Sequence, residues 1–178
     1  MLKLLRKVRA AQGGMAAAEF ALILPALLAL IFGSIEVTNV LIVRSDVSNV
    51  TSTAADLIAQ ESTVSDDDMS NVFSALNALL YPYQTSTATV IITSVIDDGK
   101  GGGKVAWSDA QNGIARTVGS AVTVPTGLIT TGGSVVMTEV SYAYTTPSAY
   151  LIKLPVTMTN IFYTHPRRVA QIARIHSS

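Results

Sequence analysis

The sequence predicts an α+β chain: a long N-terminal helix, apolar and then amphipathic, followed by a small head that holds a short helix and an antiparallel sheet of about four strands. Three observations predict it. An apolar run stands near the N-terminus. Hydrophobic residues then recur at three- and four-residue steps to about residue 60. From residue 88 the pattern changes to runs of Val, Ile and Thr separated by turns rich in Gly and Pro.

The apolar run covers residues 15–35, where Glu19 is the only ionisable residue. At ~1.5 Å rise per residue its 21 residues span ~31 Å, close to the hydrocarbon thickness of a bilayer. This run explains why only 13% of the 178 residues are charged, against about a quarter in ordinary soluble domains. Lys3, Arg6, Lys7 and Arg9 precede it and no acid does, the pattern that keeps an N-terminus in the cytoplasm and exports the chain beyond the apolar run. A secretory signal peptide has a shorter apolar core and a small-residue cleavage site after it, and residues 34–37 make a poor one. A plain signal anchor fits the length and charges but gives Glu19 no role.

The segment Gly13-Gly14-Met15-Ala16-Ala17-Ala18-Glu19-Phe20 resembles the prepilin peptidase site of Flp pilins and TadE-like pseudopilins, and Phe20-Ala21-Leu22-Ile23-Leu24-Pro25 continues the resemblance. The resemblance implies a cut after Gly14, on the cytoplasmic side. Met15 would become the first mature residue, with Glu19 fifth and Phe20 sixth. Phe20 stands where major Flp pilins carry Tyr, which points to the minor pseudopilins. So does a head of more than a hundred residues, since major Flp subunits are little more than a stem. The implied partners are a prepilin peptidase, other major and minor pilins, an assembly platform in the bacterial inner membrane, and membrane lipid.

Physical chemistry supports this reading independently. A carboxylate in an apolar helix costs ~2.5–3.5 kcal/mol at the bilayer centre. Cleavage creates an α-amino group at Met15, and in a helical assembly that amine can pair with Glu19 of a neighbouring chain. Glu19 also gains from the helix dipole once the chain starts one turn before it. Pro25 removes a hydrogen bond inside the helix, which membranes tolerate, and a kink there would affect stem packing. Glu36 closes the apolar run and reads as a residue at the headgroup boundary.

Beyond it, Val40, Val43, Val47, Val50, Ala54, Leu57 and Ile58 define one helical face. We therefore expect one helix over residues 15–60, membrane-embedded over 15–36 and held further on by a head over 61–165. Asn49-Val50-Thr51 matches a glycosylation sequon by chance. Ser65 and Asp66 are N-cap residues and Asp67 and Asp68 suit a helix start, so a second helix is expected over residues 67–80, stopped by Pro82. The aspartate run lacks the alternating ligands of a calcium loop.

Residues 88–96 and 104–108 read as a hairpin around the glycine-rich turn at 97–103, which does not meet the spacing of a phosphate loop. Trp107 is expected on a sheet face. Residues 110–118 read as a short helical turn and 120–133 as loop with a possible edge strand. In the strand at 134–145, Val136, Thr138, Val140, Tyr142 and Tyr144 share one face, and Val135, Met137, Glu139 and Ser141 the other. Pro147 and Pro155 bracket a link, and 156–164 reads as a last strand, with helix as the alternative. Arg167, Arg168 and Arg174 lie in a basic tail over 166–178, expected to be solvated, or else to touch anionic lipid headgroups or another pilin.

No chemistry-bearing constellation is visible. There is no cysteine, which excludes disulfides and thiolate chemistry. His165 and His176 have no spaced carboxylate partner, and no basic groove with interleaved aromatics suggests nucleic acid. We expect no enzyme, cofactor, metal or small-molecule substrate. The readings that remain are a processed minor pilin, an unprocessed anchored scaffold, and, third, an anchored binding domain or enzyme.

Overall fold

The structure is a computed structural model that describes residues 12–147 and 155–176. The basic leader residues Lys3, Arg6, Lys7 and Arg9, and part of the link after Pro147, lie outside the described residues. The chain divides into two compact units. The first takes the chain up to Leu41 with the link from Thr145; the second takes Ile42–Tyr144 and the chain from Pro155.

Helix α1 (Gln12–Ala59) is unbroken and includes Pro25. In the second unit Val43, Val47, Val50, Ala54 and Ile58 are buried, one stripe at steps of three and four. The intervening Val, Ser and Thr residues are mediocre helix formers, so tertiary packing holds this half of α1. Thr51 is buried on the same helix and donates its hydroxyl to the Val47 carbonyl at 2.6 Å, so its polar atom is satisfied within the helix.

A two-residue strand, β1 (Thr63–Val64), leads into α2 (Asp66–Leu79). Ser65 caps α2: its Oγ accepts from the Asp68 amide at 3.2 Å, while the Asp68 carboxylate accepts from the Ser65 amide at 2.9 Å. This reciprocal box satisfies two otherwise unpaired amides, with Asp in the place usually held by Glu. The Ser65 hydroxyl and amide together lower the Asp68 pKa below its ordinary value.

After a 3-10 turn come β2 (Ala88–Asp97), β3 (Gly103–Gln111), β4 (Ala121–Val122), β5 (Ser134–Tyr144) and β6 (Val156–Thr164). They form one antiparallel sheet of five strands in the order β4-β3-β2-β5-β6. The fifth strand is β4, from the region read as loop with a possible edge strand. The short helical turn expected over 110–118 is not there. Instead β3 continues through Gln111, opposite Val90. Asn112 then turns the chain at φ 53, and its amide nitrogen donates to the carbonyls of Thr85 and Ala88. Asparagine tolerates this left-handed conformation better than most residues, and its two hydrogen bonds replace what a helix would have supplied.

The sheet is buried on both faces. Val90, Ile92, Val136, Thr138, Val140 and Tyr142 are buried on the face that also carries Phe162, which borders Ser52 and Leu57 of α1; α1 therefore covers this face. On the opposite face Val95, Val105, Val122, Val135 and Met137 form a second cluster, with Val124, Ile129 and Tyr163 packed against it. A β-bulge lets β3 serve both. Ser94 lies opposite Trp107 and Val95 opposite Val105, so Ala106 is the extra residue, and Val105 and Trp107 point to opposite faces.

The glycine-rich turn is closed by Asp98, whose Oδ1 accepts from the amides of Lys100 and Gly102 at 2.7 and 2.8 Å. These two bonds lower the Asp98 pKa. Gly99 and Gly101 take positive φ, which the turn requires.

The solvated basic terminus expected from the sequence is corrected at Arg174, while Arg167 and Arg168 are exposed. Strand β7 (Ala173–Arg174) pairs in parallel with β1. Ile172 is buried, and its carbonyl accepts from the Trp107 indole at 2.7 Å. The Arg174 side chain is only 6% exposed and reaches Asp66 at the start of α2 (2.6 Å) and Asp109 on β3 (2.9 Å). Arg167 pairs with Asp56 of α1 and donates its amide to the Ala59 carbonyl. A run of arginines reads as a solvated tail when its acids lie more than sixty residues away in sequence.

Arg174→Ala leaves two carboxylates beside a buried space, and is expected to cost about 2–4 kcal/mol in denaturant melts of the full chain. Removing residues 167–178 is expected to red-shift Trp107 fluorescence, because the indole loses its acceptor and its cover. Asp68 and Asp98 have folded pKa values below their unfolded ones, so their contribution is present above the unfolded value of about 3.9 and is lost as pH falls below it. Ser65→Ala should cost ~1 kcal/mol at neutral pH and flatten that acid limb.

Candidate functional site

The residues singled out in the N-terminal segment all lie on α1. Gly14, Met15, Glu19, Phe20 and Pro25 are exposed, Met15 at 68% and Phe20 at 57%. Met15 and Glu19 are four residues apart, so they share one helical face with Cβ atoms about 6 Å apart. A Cβ built on Gly14 meets nothing within 4 Å. The fold therefore does not require glycine there, although glycine in a helix costs about 0.5–1 kcal/mol relative to alanine.

From Leu22 to Ile35 the large apolar side chains are exposed along α1. This is the one helix among the described residues that is long and apolar enough to cross a membrane. Each such side chain gains ~1.5–3 kcal/mol on leaving water. A run of this length outweighs the ~2.5–3.5 kcal/mol that one mid-bilayer carboxylate costs. The hydroxyls in its last turns suit an apolar setting: Ser34 donates to the Ile31 carbonyl and Thr38 to the Ser34 carbonyl, both at 2.8 Å. Glu36, read as a headgroup-boundary residue, is instead buried by the protein itself, at 1% exposure.

In the head, the polar side chains considered for chemistry are held in structural contacts. His165 Nε2 hydrogen-bonds the Leu128 carbonyl at 2.6 Å, and His176 Nδ1 lies 3.2 Å from Asp66. Arg116 pairs with Glu139 at 2.6 Å. The aspartates at the start of α2 serve its cap and the Arg174 pair. The densest unusual feature is therefore the stem, where an exposed apolar helix carries a glycine and a carboxylate that the fold does not use.

The model of the TadE-like protein family matches residues 14–56. The stem is similar to that family. The match begins at Gly14 and covers nearly all of α1, including the buried stripe up to Ala54. The match covers 43 of the 178 residues, so the similarity is one of the stem. No curated protein and no solved structure matches the chain.

Replacing both Leu27 and Leu28 by Arg adds ~2.5–3.5 kcal/mol per residue to the cost of insertion. The variant chain is expected to move from the carbonate-resistant membrane fraction to the extractable fraction, with α2 and the sheet intact by circular dichroism.

Proposed function

We propose that the chain is a minor pilin or pseudopilin of a Tad-type pilus, acting in assembly, initiation or at the tip. It is anchored in the bacterial inner membrane with its N-terminus cytoplasmic and its head periplasmic. A prepilin peptidase cuts between Gly14 and Met15. The new Met15 amine then pairs with Glu19 of a neighbouring subunit as the stem enters a filament, and Phe20 and Pro25 shape the packing of that stem. The head presents the surfaces that other pilins and the assembly platform contact.

The observation that carries this reading is the placement of Gly14 and Glu19. Both disfavour an isolated apolar helix, neither serves the fold, and they flank the proposed first mature residue at the spacing a processed pilin needs. A permanent anchor would gain by replacing both.

Intact mass and N-terminal sequencing of the membrane-purified protein, with and without the prepilin peptidase, test it. A chain starting at Met15 only when the peptidase is present is the expected result; an uncut chain in both strains supports the scaffold reading instead. Gly14→Val is expected to fold and insert normally, since its Cβ has open space, yet to remain uncut. Glu19→Ala is expected to leave insertion unchanged and to lower incorporation into filaments at least ten-fold. Normal incorporation would remove the pairing argument.

A further inference from the structure

A groove of about 270 Å³ opens on the head, lined by Ser52, Thr53, Asp56 and Leu57 of α1 and by Phe162 of β6. All of these residues lie in the second compact unit. Ser52 and Asp56 stand four residues apart on α1, as do Thr53 and Leu57, so the four form one patch on the helix surface. Phe162 meets them from the sheet and is 40% exposed. Asn160 and Thr164 share its side of β6, since alternate residues of a strand point the same way. The apolar part of the groove is one ring and one leucine; the rest is hydroxyl and carboxylate.

The polar groups have capacity left. The Ser52 hydroxyl donates to the Asn49 carbonyl at 3.0 Å, which uses its proton and leaves its lone pairs. Asp56 accepts from Gln60 at 3.1 Å and from Arg167, which takes two of the roughly four acceptor positions of a carboxylate. The Arg167 guanidinium has further donors, and its side chain is 58% exposed. Asp56 and Arg167 cancel in charge, so this wall holds no net attraction for an anion or a cation. Directly opposite Phe162 on β5, Thr138 has a fully buried hydroxyl with no hydrogen-bond partner among the described residues. Such orphans are rare in folded proteins, and this one points to the same side of the sheet as the groove.

We propose that this groove binds a neutral sugar ring, the pyranose unit of a glycan. A pyranose has apolar C–H faces that pack on an aromatic ring, and a rim of hydroxyls that donate and accept. The groove supplies both needs: Phe162 and Leu57 for a C–H face, Ser52, Thr53 and Asp56 as acceptors, and Arg167 as donor. An apolar wall with a few convergent polar groups is the usual make-up of a small-ligand site. An apolar ligand would expel water from the carboxylate and hydroxyls and return no hydrogen bond. A charged ligand would lose hydration and meet no opposite net charge. The same ring chemistry is offered by a glycan strand of the cell wall and by a surface polysaccharide. The inference goes beyond the pilin reading and stands whether or not the chain is cut after Gly14.

The test uses the full chain in a zwitterionic detergent that has no sugar headgroup. Saturation-transfer NMR is recorded with the methyl glycosides of glucose, galactose, mannose and N-acetylglucosamine, and with glucuronic acid and glucosamine as charged counterparts. At least one neutral glycoside is expected to receive saturation, first at its ring C–H protons, and more than either charged sugar. N-acetylglucosamine as the best ligand would identify a cell-wall glycan strand as the source, and a hexose without the acetamido group a surface polysaccharide. Phe162→Ala is expected to weaken binding about ten-fold, and Phe162→Tyr to keep it. Thr53→Tyr fills the groove from the α1 side and is expected to abolish binding, with the circular dichroism spectrum unchanged. This second variant decides the matter even where Phe162→Ala misfolds. No transfer to any neutral glycoside, stronger transfer to a charged sugar, or transfer that survives Thr53→Tyr in the folded chain would overturn the proposal.

Discussion

The stripe formed by Val43, Val47, Val50, Ala54 and Ile58 is the contact on which the head depends. It covers one face of the sheet, and without it Val90, Ile92, Val136 and Val140 would face water. The dependence is mutual, because this half of α1 has too many Val, Ser and Thr residues to hold a helix alone. The sheet stabilises the helix that covers it. One helix thus packs on the sheet from about Val43 onward, and before that, although Glu36 is buried, its large apolar side chains are exposed.

A second constraint closes the head from the other end of the chain. Arg174 joins the start of α2 to β3, and the residues just before it accept the Trp107 indole. Charged groups this far from water repay their desolvation only when geometry and extra hydrogen bonds are good. Here the guanidinium meets two carboxylates and also the carbonyls of Val64 and Ile175, so its donors are largely used. The pair therefore fixes which elements meet, rather than adding an arbitrary increment of stability. The last residues of the described chain act as a strap across α2 and the sheet.

The long-period features were legible in the sequence. The α1 helix, the Ser65 cap, the β2–β3 hairpin, the alternation of β5 and the place of Trp107 are all set by spacing within a single element. The features that were not legible depended on partners far away in the chain. Arg174 looked like part of a solvated tail because Asp66 and Asp109 are distant in sequence. Glu36 looked like a boundary residue because it closes an apolar run, yet it is buried. The stretch at 110–118 looked helical by composition, but pairing of Gln111 with Val90 and the two Asn112 hydrogen bonds decided otherwise. At the stem the situation is reversed: Gly14, Met15, Glu19 and Phe20 were conspicuous in sequence, and among the described residues they are exposed.

That exposure separates the parts of the molecule that hold it together from the parts directed outward. Arg174, Thr51, Asp98 and Asn112 are polar, and each is hydrogen-bonded within the chain. Glu19 is polar in an apolar helix, Gly14 is a glycine where space is open, and β6 is an uncharged edge beside a groove. Each of these is unfavourable or idle for the isolated chain, and a sequence under pressure for stability alone would replace them with alanine, leucine and an edge lysine. They lie at the first turns of the stem and at one margin of the head. Stability of the isolated helix would favour alanine at position 14 and an apolar residue at position 19, so the reason for both residues lies outside the fold described.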